Sequence, residues 1–247
     1  MTESKLYLIP TPLGEYPPSD VLPAPVLARV ASLRLFFVEE LRTARRFLSA
    51  AGWKGRIEEL ELLELNEHTS RETIEAYALR LGGQDAGLLS EAGLPAVADP
   101  GALLVELAHQ KGVEVVPMVG PSSLMLALMA SGLNGQCFAF TGYLPVKTPA
   151  RREAIVSLER SSARLHQSQI IIETPYRNDA LLADLLAVCR PATRLCIAAD
   201  ITCPGEFIRT QTIESWSKAL KKGFTIGKRP CVFILLASGV RRPGGAP

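Results

Sequence analysis

Along the first half of the chain, short apolar runs alternate with longer segments whose apolar residues recur every three or four positions. The runs have the length of buried strands and the periodic segments that of helices. Residues 6–10 read as a strand stopped by Pro10 and Pro12, after which Pro17, Pro18, Pro23 and Pro25 keep the next stretch irregular. A helix over 26–33, a strand over 33–39, a helix over 41–51 and a strand over 58–65 follow. Ser70 is placed to cap a helix over 71–81. Strands over 85–90 and 113–117 and helices over 101–111 and 122–131 complete a regular alternation. Such an alternation implies a parallel sheet with helices on its faces.

The second half predicts a strand over 137–145, then a helix opened by Lys147, Arg151 and Arg152 and running to about residue 165. Strands follow over 168–173, 194–200 and 206–212, with helices over 178–189 and 213–222. The wholly apolar run at 231–238 reads as a central strand. Two α/β domains, divided as 1–134 and 135–240, fit the element count better than one continuous sheet. A ligand cleft between the domains is the natural expectation.

Composition narrows the class. At 247 residues and 47% hydrophobic, the chain has a core's worth of apolar side chains, which excludes disordered and fibrous classes. The formal charge of +2 is too balanced to advertise nonspecific DNA binding, although it leaves room for a local basic patch. Five cysteines, Cys137, Cys189, Cys196, Cys203 and Cys231, contain no CxxC pair and imply neither a zinc site nor a disulfide framework. The apolar run before Pro10 is too short for a signal peptide, and no stretch is long enough for a spanning helix. A cytoplasmic protein without membrane or metal is the expectation.

The chemistry concentrates at strand exits. LLSEAGLPAVADPG, residues 88–101, packs two glycines, two prolines and acids behind an apolar run, and Gly93 and Gly101 allow turns or close approaches closed to other residues. Ser90, Glu91, Ala92, Gly93, Leu94 and Pro95 can therefore meet a ligand, or form a solvated turn. Asp99 has the form of a helix cap. Ser122 and Ser123 follow the Gly120-Pro121 turn, where they can cap a helix and hold a polar ligand edge. Glu39 and Glu40, with Arg42, Arg45 and Arg46, read either as an acid pair orienting basic groups or as a solvated helix start. His68 lies among Asn66, Glu67, Thr69 and Ser70 as a substrate contact or proton acceptor. Glu173, Thr174, Tyr176 and Arg177 end another strand before a capping Asn178. Lys147, Arg151 and Arg152 form a phosphate-contacting patch in this reading. No GxGxxG or GxxxxGK[ST] pattern occurs, so NAD and ATP chemistry have no direct support.

Taken in order, YLIPTPLG, FFVEELRTARRFL, LNEHTS, LLSEAGLPAVADPG, VVPMVGPSS, LMASGLNGQCFAFTGYLPVK, IIETPYRN and AADIT with GEFIR run from residue 5 to about 237. This series resembles the tetrapyrrole methylase superfamily, and within it the branch of small-subunit ribosomal RNA ribose 2′-O-methyltransferases. The resemblance implies two α/β domains that bind S-adenosylmethionine between them through strand-exit loops, commonly as a homodimer. It assigns Pro12, Leu13, the six residues from Ser90 to Pro95, Ser122, Ser123, Glu173 and Thr174 to the cofactor. Ribosomal RNA or the small subunit becomes the partner, with Arg42, Arg45, Lys147, Arg151, Arg152 and Arg177 as its contacts. A ribose hydroxyl is a poor nucleophile, so a base or an orienting acceptor is expected, and Glu39, His68 and Glu173 are all candidates.

The chain departs from the branch at places that bear on the acceptor. It has Glu39-Glu40-Leu41-Arg42 for EDTR, residues 90–95 as SEAGLP for SDAGTP, and a proline-rich insertion after Gly14-Glu15-Tyr16 where the branch has GNL. It also has ETPYR at 173–177 for ESPHR and ADITC at 199–203 for RELTK. Two further readings therefore stand beside RNA methylation: a methyltransferase acting on a tetrapyrrole or other small molecule, and a non-catalytic cofactor-binding or ribosome-assembly protein.

Overall fold

The computed structural model describes residues 4–98 and 100–238. The chain divides into two compact units between Ser122 and Ser123. In the first, strands β1 (Lys5–Ile9), β2 (Leu35–Val38), β3 (Glu61–Glu64), β4 (Ala86–Leu89) and β5 (Glu114–Pro117) form one sheet. Their order is β3-β2-β4-β1-β5, and every neighbouring pair is parallel. Helices α1 (Ala24–Ser32), α2 (Leu41–Leu48), α3 (Arg71–Arg80) and α4 (Ala102–Gln110) lie between the strands in sequence.

β2 and β4 are buried along their whole length, as a parallel sheet covered on both faces requires. Period-two alternation sends Phe36 and Phe37 to opposite sides. Phe36 joins Tyr7, Ile9 and Val38 against Val30 of α1 and Phe47 of α2. Phe37 joins Leu6, Leu35 and Leu88 against Ile74 of α3 and Leu104 of α4. Burying one such phenylalanine contributes about 1.5–3 kcal/mol.

This packing also fixes where a ligand fits. β1 leads through α1 to β2 on one side, while its neighbour β4 leads through α4 to β5 on the other. Adjacent strands whose connections diverge leave a crevice at their carboxyl ends, the usual ligand position in open parallel sheets.

The second unit holds β6 (Phe138–Tyr143), β7 (Ser168–Glu173), β8 (Arg194–Ala199), β9 (Phe207–Thr212) and β10 (Cys231–Leu236) in the order β6-β7-β10-β8-β9. Here β6 and β7 are parallel, whereas β10 runs antiparallel to both β7 and β8, and β8 to β9. The sheet is therefore mixed. The link between β8 and β9 is too short for the crossover helix a parallel pair needs.

β10 is central and buried throughout, as its apolar run predicts. On one face Phe233 and Leu235 pack with Ile155 of α6 (Thr148–Leu165), Leu181 and Leu185 of α7 (Asn178–Val188) and Trp216 of α8 (Ile213–Lys221). Helix α5 (Ser123–Ser131) packs against β8, β9 and β10, and Thr210 Oγ1 donates to the Ser131 carbonyl at 2.6 Å. That docking places α5 in the second unit and moves the division from the expected 134/135 to 122/123.

All five cysteines are free. Burial pushes the thiols of Cys189 and Cys231 up to about 12, so both are neutral core side chains. No helix among the described residues is long and apolar enough to cross a membrane.

Candidate functional site

The strands of the first sheet end almost level. Ile9 pairs with Leu89, Leu89 with Val38, and Val38 with Glu64. Their exit loops consequently line one edge. The β1 and β4 exits are clasped to each other: Thr11 N–H donates to the Gly93 carbonyl at 2.9 Å and Gly93 N–H to the Thr11 carbonyl at 3.1 Å. Buried Ser90 adds to the clasp, its hydroxyl donating to the Gly93 carbonyl at 3.3 Å while its own carbonyl accepts from Thr11 Oγ1 at 3.4 Å.

Gly93 has φ of 82°, a left-handed conformation that a side chain would strain. A Cβ there would lie 3.1 Å from Leu13 Cδ2 and 3.6 Å from the Pro121 carbonyl. The loops bearing Leu13, Gly93 and Pro121 thus converge, which brings together the Pro12-Leu13 and 90–95 segments predicted from sequence. Ala96 and Ala98 also have φ of 63° and 65°, each costing on the order of 1–3 kcal/mol, the kind of strain that clusters at ligand sites. Asp99 lies outside the described residues. Ser123 opens α5 and Ser122 precedes it.

Glu39 and Glu40 have separate tasks. Glu40 caps α2, accepting the N–H groups of Arg42 at 2.8 Å and Thr43 at 2.6 Å, and these bonds hold its carboxyl below the ordinary value. The expected orientation of basic side chains by this acid pair is corrected: Glu40 meets the backbone of Arg42, and Arg46 pairs with Glu15 at 3.1 Å. Arg42 and Arg45 are exposed. Glu39 reaches across instead, its Oε2 accepting the N–H of Glu91 at 2.8 Å. Burial, then the charges of Glu39 and Glu40, push the Glu91 carboxyl above its ordinary value. Below them a cavity of about 10 Å³, room for one water, is lined by Glu39, Leu65, Ser90, Pro95, Ala96 and Gly101 among others.

His68 is not among the residues that line this cavity. It is 84% exposed beside Glu67, at the exit of the edge strand β3, two strand positions from β4. At ordinary strand spacing that is roughly 10 Å.

In the second unit, Glu173 ends β7 with its side chain fully buried. Its Oε1 accepts from Arg177 Nε at 2.9 Å and Nη2 at 2.6 Å and from Thr174 N–H at 2.7 Å, whereas Oε2 has no partner. Arg177 is thereby tied to Glu173 and offers a substrate only its exposed flank. Asn178 is not the expected cap: it is buried, and its Nδ2 donates to the carbonyls of Gly227 at 3.1 Å and Arg229 at 2.7 Å.

Arg151 is also corrected. Its side chain is 5% exposed and its guanidinium is held by Asp184 at 2.5 Å, the Val146 carbonyl at 2.9 Å and Thr148 Oγ1 at 3.3 Å, a buried ion pair in place of an exposed phosphate contact. Arg152 reaches Asp184 at 2.7 Å but is 48% exposed, and Lys147 is exposed at the start of α6. Burial works to raise the Asp184 pKa, but hydrogen bonds from Arg152 and Arg151 outweigh it and hold the carboxyl below its ordinary value.

Sequence reasoning missed Thr11, whose only signal was a polar residue held between two prolines at a strand exit. It also missed Asp184, which no local pattern marks.

The sequence matches the family described as Tetrapyrrole (Corrin/Porphyrin) Methylases over residues 5–216. The chain belongs to this family. It is 32% identical to ribosomal RNA small subunit methyltransferase I of Neisseria meningitidis serogroup B over 93% of this chain and 75% of that protein. The protein of the same name in Pseudomonas aeruginosa is 30% identical over 99% and 82%. Among solved structures, diphthine synthase matches with a TM-score of 0.69 at 15% identity, covering 95% and 90% of the two chains. Uroporphyrin-III C-methyltransferase from Thermus thermophilus, solved with S-adenosyl homocysteine, matches at 0.55 and 19% over 94% and 97%. The fold is accordingly the methylase fold, and this family member is an S-adenosylmethionine-dependent methyltransferase. Its own residues fit that cofactor: Glu39 and Glu91 set two carboxylates at the exits of β2 and β4, suited to a cationic ligand. In the second unit, Glu173 Oε2 is buried without a hydrogen-bond partner among the described residues.

Proposed function

We propose that this methylase transfers a methyl group to a ribose 2′-hydroxyl of small-subunit ribosomal RNA, as a cytoplasmic homodimer. The clasp of Thr11 on Gly93 at the diverging strands β1 and β4 carries the cofactor half of the reading. The name shared by its relatives supports the acceptor. Exposed Met129 and Phe138 supply apolar surface for a second copy.

When bound, S-adenosylmethionine supplies a methyl carbon on a sulfonium, open to in-line attack by an oxygen. The loops around Leu13, Gly93 and Pro121 fix the donor's position and keep water away, so most of the acceleration comes from alignment. Two carboxylates beside a cationic donor favour its retention. Glu39, anchored through Oε2, orients the hydroxyl hydrogen in this proposal. Arg42, Arg45, Lys147 and Arg152 supply positive charge to phosphates.

The deciding experiment is transfer of radiolabelled methyl to small ribosomal subunits from cells lacking this protein, with the labelled nucleotide mapped. Label on a single ribose is expected. No label, from protein that binds the cofactor in a calorimeter, overturns the RNA acceptor and turns the search to a small molecule or a silent binder.

A further inference from the structure

At one end of the second sheet two exposed groups are held face to face. Tyr176, in the turn Pro175–Arg177, is 79% exposed, and Lys228 Nζ sits 5.0 Å from its ring centroid. Neither lies on a loose loop. Residues 225–229 are strapped to the start of α7, where the Asp179 carboxylate accepts from Thr225 Oγ1 at 2.7 Å, Ile226 N–H at 2.8 Å and Gly227 N–H at 3.2 Å. Asn178 holds the carbonyls of Gly227 and Arg229 from the same helix turn. The tyrosine precedes this anchor by two residues and the lysine lies within the strap, so both are preorganised.

An aromatic ring this exposed gains nothing from the core, and its flat surface suits stacking by a nucleic-acid base. The surroundings suit phosphate. Lys147 and Lys228 make no ion pair among the described residues, and Tyr143, 56% exposed at the end of β6, lies at the same end of the sheet. We infer that Tyr176 and Lys228 form a platform on which an unpaired RNA base stacks, with its phosphate against the lysine. The inference rests on the RNA reading above and names the form of RNA bound, an unstacked single strand.

The test is binding of the full chain to a fluorescent single-stranded RNA of mixed sequence and to the same sequence as duplex, across a salt series. Tyr176→Ala is expected to lose about tenfold in affinity for the single strand, Tyr176→Phe to keep it, and Lys228→Gln to flatten the salt dependence by about one phosphate contact. Melting temperatures equal to wild type show that the variants fold. Single-strand binding by Tyr176→Ala at wild-type strength overturns the platform and leaves RNA methylation standing. Equal loss on duplex overturns stacking as its basis. Absence of RNA binding by the wild-type chain overturns both the platform and the reading beneath it.

Discussion

Glu39, at the end of β2, accepts the backbone N–H of Glu91, two residues beyond the end of β4, at 2.8 Å. One carboxylate thus ties two strand exits that lie 52 residues apart in sequence. Glu39→Ala removes the acceptor, and the expected outcome is a stability loss of about 1–2 kcal/mol with roughly tenfold weaker cofactor binding. Glu39→Gln keeps an acceptor without the charge and should hold stability while slowing methyl transfer. Calorimetric titration of both variants checks this; Glu39→Ala binding as tightly as wild type would remove Glu39 from the site.

Glu91 carries the opposite signature. Its raised pKa means that the ionised carboxylate is less favourable in the folded chain than in the unfolded one. The resulting destabilisation is absent below its ordinary value, grows as pH rises through the shifted value and is complete above it. Glu91→Gln is therefore expected to melt at a higher temperature near neutral pH, with the difference vanishing below about pH 4. The same variant should bind the cationic cofactor several-fold more weakly. A melting difference that persists undiminished into acid would contradict the assignment.

Arg151 and Arg152 share Asp184 yet differ in what they do. Removing the buried partner by Arg151→Met should cost about 3–5 kcal/mol in denaturant unfolding, since it uncovers part of a buried charge. Arg152→Met, at a half-exposed pair, should cost about 0–1 kcal/mol while reducing the salt dependence of RNA binding. Equal, small losses from both would refute the structural role of Arg151.

Gly120 lies where any side chain collides with the chain itself, its would-be Cβ falling 2.3 Å from Pro10 Cβ and 2.9 Å from Leu22 Cδ2. Gly120→Ala is expected to destabilise by about 1–3 kcal/mol and to spread the β1 and β5 exits, weakening the cofactor's grip. Gly135→Ala, with nothing within 4 Å, is the control that should change neither. Comparable effects at the two positions would show that the collision at Pro10 is relieved without disturbing the site.

The order of strands and helices was legible because the periodicity is strong: β7 occupies Ser168–Glu173 as read, and Ser70 caps α3 through Thr73 N–H at 3.2 Å. Strand direction in the second sheet was not legible, since an apolar run such as Cys231–Leu236 reads the same whichever way it pairs. The apolar residues of α5, Leu124 and Leu128 with Met125 and Met129, read as core or subunit interface and do not say which sheet they meet. At the site, Gly93 announced its turn, but the Glu39 to Glu91 bond joins distant residues and left no trace in local pattern. Arg151 misled for the same reason: its charge is visible in sequence, while the carboxylate that neutralises it stands 33 residues away.

The paired backbone bonds between Thr11 and Gly93 extend the ladder of β1 and β4 past the last residues of both strands. Their amides should then exchange with solvent only when the sheet itself opens, as slowly as those of the strands behind them. The proposed donor seat is, in that reading, a fixture of the sheet. The stacking platform we propose stands on the other sheet, so in that reading acceptor choice is free to drift there while the proposed seat for the methyl donor stays as it is.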